Sequence, residues 1–171
     1  MPSLHCLLYL PARTAYLALF ITAVGLLGFG LYLQHFAGLE PCPMCIMQRY
    51  AFLAVALIAL VGGVHGPARS GSRVYAVLIA VAALTGASIA ARQSWMQLYP
   101  PEIPECGPGL EFMLESFPLA EALPMIFRGA GDCVAVDWTF LGLSIANWSL
   151  LTFTATIVFA LWMLLRRESV R

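Results

Sequence analysis

Four apolar stretches punctuate the chain, over residues 16–33, 46–64, 74–91 and 145–165. Each approaches the roughly 20 residues that a helix needs to cross about 30 Å of hydrocarbon. The pattern predicts an all-α membrane protein, one four-helix transmembrane bundle over residues 1–171. A short outer loop spans about 34–45 and a long one about 92–144. Within the long loop, Pro100, Pro101, Pro104 and Pro108 surround Cys106 and favour an extended stretch that another protein could grip. The following segment, 112–127, mixes bulky apolar residues with Glu115 and Glu121 and is broken by Pro118 and Pro124. It fits either an interfacial helix or a loop packed on its own bundle. Ala82, Gly86 and Ala90 recur every four residues, a spacing for close helix packing. Trp95, Tyr99, Trp138 and Trp148 have the character of an interfacial aromatic belt.

Composition supports the membrane class. Hydrophobic residues make up 61% of the chain and charged residues 11%, against roughly half and a quarter in soluble domains. The first stretch is read as a retained span. Its apolar run exceeds the roughly 7–15 residues of a signal peptide, and no clear small-x-small site follows it. A net charge of zero conceals a strong polarity. The termini and the loop between spans two and three carry Arg13, Arg69, Arg73, Arg166, Arg167 and Arg171 against Glu168 alone. The opposite side carries Arg49, Arg92 and Arg128 against eight acids. Six arginines against three place both termini in the cytoplasm and, in a bacterium, the two outer loops in the periplasm. The chain has no phosphate loop, hydrolase triad, nucleic-acid patch or tandem repeat.

That orientation sorts the cysteines. Cys42, Cys45, Cys106 and Cys133 fall outside, in two pairs on two loops, and an oxidising compartment favours disulfides there. Cys6 lies on the reducing side and reads as an inert thiol. Glu40-Pro41-Cys42-Pro43 suits an extended chain turning into a helix, with proline in the first turn. Cys45 then falls in that turn, where free N–H groups favour an anion. Arg49 follows at i+4 on the same face. Together they favour the Cys45 thiolate, the nucleophilic form. A structural bridge, a metal site or a snorkelling arginine are the alternatives. A Cys-x-x-Cys bridge closes too small a loop to restrain much chain, and the two Cys pairs lack zinc spacing. A Cys106–Cys133 bridge between mobile segments would be accessible and readily exchanged. His35, near the outer end of the first span, is a candidate ligand contact.

Several motifs carry a specific resemblance: Gln34-His35, Pro41-Cys42-Pro43-Met44-Cys45 with Arg49, Gln97-Leu98-Tyr99-Pro100, Gly131-Asp132-Cys133, and Trp138-Thr139-Phe140-Leu141-Gly142-Leu143. In these, over nearly its whole length, the chain resembles the disulfide bond formation protein B (DsbB) family of bacterial inner-membrane thiol:quinone oxidoreductases. The resemblance implies a periplasmic DsbA-like thioredoxin-fold partner and a membrane quinone, ubiquinone or menaquinone. It implies catalytic roles for Cys42, Cys45, Cys106 and Cys133. Cys106 would receive the partner's thiolate, Cys133 would pass electrons to Cys42, and Cys45, with Arg49 and His35, would face the quinone. Many members carry a histidine where this chain has Gln93, which puts that histidine's role in doubt here. Two other classes compete with this reading. A vitamin K epoxide reductase-like enzyme would normally place its Cys-x-x-Cys late in the bundle. A non-enzymatic four-span scaffold would gain nothing from Arg49 beside a thiol.

Overall fold

The computed structural model describes residues 11–100, 116, 118, 133–136 and 138–166. Four long helices dominate it: α1 (Ala12–Phe36), α2 (Pro43–His65), α3 (Arg69–Leu98) and α4 (Ile145–Leu165). All four are long and apolar enough to cross a membrane. The protein is a multi-pass membrane protein built as a four-helix bundle. Successive helices pack on each other, α1 on α2, α2 on α3 and α3 on α4. Outward faces carry Ile21, Leu57, Val61, Val81, Leu84 and Val158 in exposed positions. A bundle that turns large aliphatic side chains outward all round requires lipid, not water, as its surroundings.

The helices run past the apolar stretches that announce them. Backbone hydrogen bonding continues into the polar interface, so α1 reaches Phe36, α2 starts at Pro43 and α3 continues to Leu98. The first loop shrinks to 37–42, and Arg92, Gln93 and Gln97 become helical instead of belonging to the second loop. Pro43 occupies the first turn of α2, preceded by Cys42 in an extended conformation (φ −65°, ψ 161°) as N-cap. Proline's fixed φ and missing N–H suit that position.

Small residues set how closely the helices approach. Since lipid is as apolar as a leucine, packing and not removal from water holds membrane helices together. Ile89, Ser94 and Met96 are buried toward the outer end of α3, and its other buried positions are Ser72, Ala76, Ile79, Ala83, Gly86, Ala90 and Gln93. They alternate in steps of four and three, the 3.5-residue repeat of a knobs-into-holes seam. Gly86 and Ala90 lie on this seam, whereas Ala82 is half-buried beside it. At Gly86 a Cβ would collide with the Phe153 ring of α4. Phe153 in turn stacks on Phe52 of α2, with centroids 4.0 Å apart. At the other end of the seam the buried Tyr16 hydroxyl donates to the Ser72 carbonyl at 2.6 Å. Polar residues thus close both ends of an apolar seam.

Ahead of α4 stands a feature that the hydropathy pattern does not announce. Strands β1 (Thr139–Phe140) and β2 (Leu143–Ser144) form an antiparallel hairpin, pairing Thr139 with Ser144 and Phe140 with Leu143. Its two turn residues, Leu141 and Gly142, both have positive φ (54° and 78°), the hallmark of a tight hairpin turn whose twist matches its strands. Leucine replaces the usual Asn or Asp there, which hides the turn from the sequence. Ser144 ends the hairpin and caps α4, its hydroxyl accepting from Asn147 N at 3.4 Å.

Candidate redox site

Three cysteine sulfurs meet where α2 begins. Cys42 and Cys45 bring their Sγ atoms to 2.9 Å as free thiols. Cys133, fully buried just ahead of the hairpin, hydrogen-bonds the Cys42 side chain. Cys42, Met44, Ile89, Met96 and Cys133 form a buried cluster of their own, with Cys45 packed on it. Cys133 is close to Cys42 in space though 91 residues away in sequence. Cys45 N points at Cys42 Sγ (3.3 Å) rather than serving Cys45's own sulfur, because the N-cap side chain is the group that folds back over the first turn. Hydrogen bonding to Cys133 and Cys45, together with burial, pushes the Cys42 thiol far above its ordinary range.

Gln93, which the sequence reading leaves out, sits at the centre of this cluster. Only 3% exposed, it brings Nε2 to 3.3 Å from both Cys42 Sγ and Cys45 Sγ. Its Oε1 accepts from Gln48 Nε2 at 2.7 Å. The signal that could have found it is the α3 seam, whose 3.5-residue repeat runs straight onto position 93. A carboxamide at the end of an apolar seam needs a buried partner, and the sulfurs and Gln48 supply it.

Arg49 lies one turn beyond Cys45 and reaches across to α1. Its Nη1 donates to Gln34 Oε1 at 2.5 Å and its Nη2 to the Gly30 carbonyl at 3.1 Å. The guanidinium is therefore anchored inside the bundle, more than a snorkelling side chain would be. Cys42, Cys45, Gln48, Arg49 and Gln93 all line a cavity of about 510 Å³. Leu27 and Leu33 of α1, Phe52 of α2 and Thr152 of α4 extend its wall, and Gln34 and Gln97 add amides. Gln97 is tied to Ser144 by a 2.6 Å hydrogen bond. Trp138, Phe140 and Trp148 belong to the lining as well. Trp148 donates to the Phe140 carbonyl at 3.1 Å, so two residues of the expected aromatic belt are walls of the cavity.

His35 is not brought into this lining. It is exposed on α1, and its neighbour Gln34 faces the cavity instead, since adjacent residues on a helix point about 100° apart. Cys6, Cys106 and nearly all of the 112–127 segment lie outside the described residues.

The chain matches known proteins over most of its length. The family model for disulfide bond formation protein DsbB matches residues 12–163, which contain all four helices but for two terminal residues. A disulfide bond formation protein B of Azoarcus sp. (strain BH72) is 69% identical over 156 residues, covering 91% of this chain and 94% of that protein. That of Aromatoleum aromaticum is 68% identical with the same coverage. The one from Hahella chejuensis is 48% identical, over 89% of this chain and 94% of its own length. Matched from the first span to the last, this chain belongs to the disulfide bond formation protein DsbB family.

Proposed function

We propose that the chain is a protein dithiol:quinone oxidoreductase of the bacterial inner membrane. It takes electrons from a periplasmic DsbA-like thioredoxin-fold protein and passes them to a membrane quinone, ubiquinone or menaquinone, so renewing the oxidant that makes disulfides. One observation carries the reading: Cys133 lies on Cys42, Cys42 on Cys45, and Cys45 lines an apolar cavity beside Arg49. The uneven distribution of arginines supports cytoplasmic termini, and with them a periplasmic mouth for the site.

The electron path follows from thiol–disulfide exchange. The partner's thiolate attacks Cys106 of a Cys106–Cys133 bridge and releases Cys133. A Cys133 thiolate beside Cys42 then attacks the Cys42–Cys45 bridge at Cys42 and expels Cys45 as the leaving thiolate. The partner's second thiolate resolves its mixed disulfide with Cys106, whose thiolate then displaces Cys42 from Cys133. The original outer bridge is restored, and two electrons rest on Cys42 and Cys45.

The cavity fits a quinone head. Its volume suits a small molecule, its walls are largely apolar, and Cys45, Gln48 and Gln93 stand together in its lining. Arg49, Gln34, Gln97 and Cys45 would hold the ring. Bound there, a quinone supplies the oxidising power, taking up two electrons and two protons as the Cys42–Cys45 bridge re-forms. Arg49 contributes a permanent charge that Gln34 and Gly30 keep in place, and a low local dielectric strengthens its hold on nearby anions. Trp138 and Phe140 add aromatic wall to the chamber.

The test is reduction of added ubiquinone or menaquinone by a reduced DsbA-like protein, catalysed by the purified chain. One quinol should form per partner disulfide, and serine at Cys42, Cys45, Cys106 or Cys133 should abolish turnover. A chain that forms no quinol, or that turns over normally without Cys42, would overturn the proposal. Identifying the quinone that co-purifies settles which one it uses.

A further inference from the structure

A carboxamide has a donor end and an acceptor end, and reversing it reverses its effect on a sulfur. Gln93 directs its donor end at Cys42 and Cys45, with Nε2 at 3.3 Å from each. Its oxygen also accepts from the Cys45 thiol, at 3.8 Å, a longer contact than either from the nitrogen. The oxygen is engaged by Gln48 Nε2 at 2.7 Å, from a residue that is itself only 3% exposed. Turning Gln93 alone would set two NH₂ groups face to face. Turning both would aim a carbonyl oxygen at the sulfurs, which a thiolate repels. Buried amides left unpaired cost about 1–3 kcal/mol each, so the pair holds one polarity.

We propose that Gln48 is a positioning residue, which locks Gln93 with its N–H groups toward both sulfurs and thereby makes the Cys42–Cys45 bridge a stronger electron acceptor. This rests on the reading of Cys42–Cys45 as a redox couple. Reduction by a dithiol breaks the Cys42–Cys45 bond, forms one disulfide in the reductant, and moves two electrons and two protons to the pair. N–H groups facing the sulfurs favour the reduced side, where negative charge gathers on sulfur. A glutamine does this without titrating, unlike a histidine in the same place, whose charge changes near neutral pH. Gln48 contributes although, among the described residues, it makes no hydrogen bond to sulfur itself.

The experiment measures the equilibrium constant of Cys42–Cys45 against dithiothreitol by thiol trapping. It uses the full-length chain in detergent, with Cys6, Cys106 and Cys133 replaced by serine so that one pair reports. Gln93→Met and Gln48→Met should each weaken reduction of the bridge by about five- to tenfold, a tenfold loss being about 30 mV for two electrons. The double variant should lose no more than Gln93→Met alone, since both act through one amide. Should Gln48→Met not fold as judged by circular dichroism and monodispersity, Gln48→Leu takes its place. An unchanged constant in the Gln48 variant, or losses that add in the double variant, would overturn the proposal. Bound quinone is stripped beforehand and no partner is added, so the outcome is separate from whether the chain reduces quinone.

Discussion

Replacing Arg49 by methionine tests whether a fixed positive charge is needed beside the cavity. The guanidinium makes two hydrogen bonds to α1, at 2.5 Å to Gln34 and 3.1 Å to Gly30. Both partners are neutral oxygens on half-buried residues, so their loss should cost the fold about 1 kcal/mol apiece. The methionine stem fills much of the same space, and the bundle should stay folded. The larger loss falls on chemistry. A hydrogen bond from a charged donor to an anion contributes about 1.5–3 kcal/mol, which predicts a fall in kcat/KM for quinone on the order of 10- to 100-fold. Arg49→Lys should fall between, because it keeps the charge but loses the two-pronged donor that serves α1 and cavity together. The assay is steady-state reduction of added quinone, with the attack of partner on Cys106 followed separately by mixing and acid trapping. The first should drop and the second should stay near wild type. Wild-type quinone dependence in Arg49→Met would refute the reasoning and reduce Arg49 to a clamp between α1 and α2.

Three further outcomes are expected. A reporter active only in the periplasm should work when fused after Glu111 and fail after Arg69; the reverse would invert the placement of the cysteines. Cys133→Ala should accumulate a reductant-sensitive covalent complex with the thioredoxin-fold partner through Cys106, since no neighbouring thiol remains to displace the partner. A bond trapped at Cys42 instead would reverse the order of the two pairs. Gly86→Ala should destabilise the bundle by about 1–3 kcal/mol through overpacking against Phe153, seen as a lower melting temperature in detergent. An unchanged melting temperature would show that Phe153 can swing away at little cost.

Much of the protein is legible in the one-dimensional pattern, because its causes are local. Twenty apolar residues in a row demand a helix wherever the backbone must satisfy itself in lipid, and the four helices of the bundle follow from that alone. Pro43 in a first turn, Cys45 three residues beyond Cys42 and Arg49 a turn later are likewise consequences of helical geometry, and α2 carries all of them. What is not local is not legible. That Cys133 lies against Cys42 depends on how the residues before the hairpin return to α2. That Gln34 and not His35 faces the cavity depends on the rotation of α1 about its axis, which packing against α2 decides. The hairpin turns on a leucine with positive φ, against that residue's own preference. Gln93 shows the boundary between the two kinds of knowledge. The seam of Ala76, Ile79, Ala83, Gly86 and Ala90 carries its spacing in the sequence, so that position 93 is buried could be read from it. That Gln93 meets two sulfurs and the amide of Gln48 could not, since those partners come from a different helix and only the packing of α2 on α3 brings them within reach.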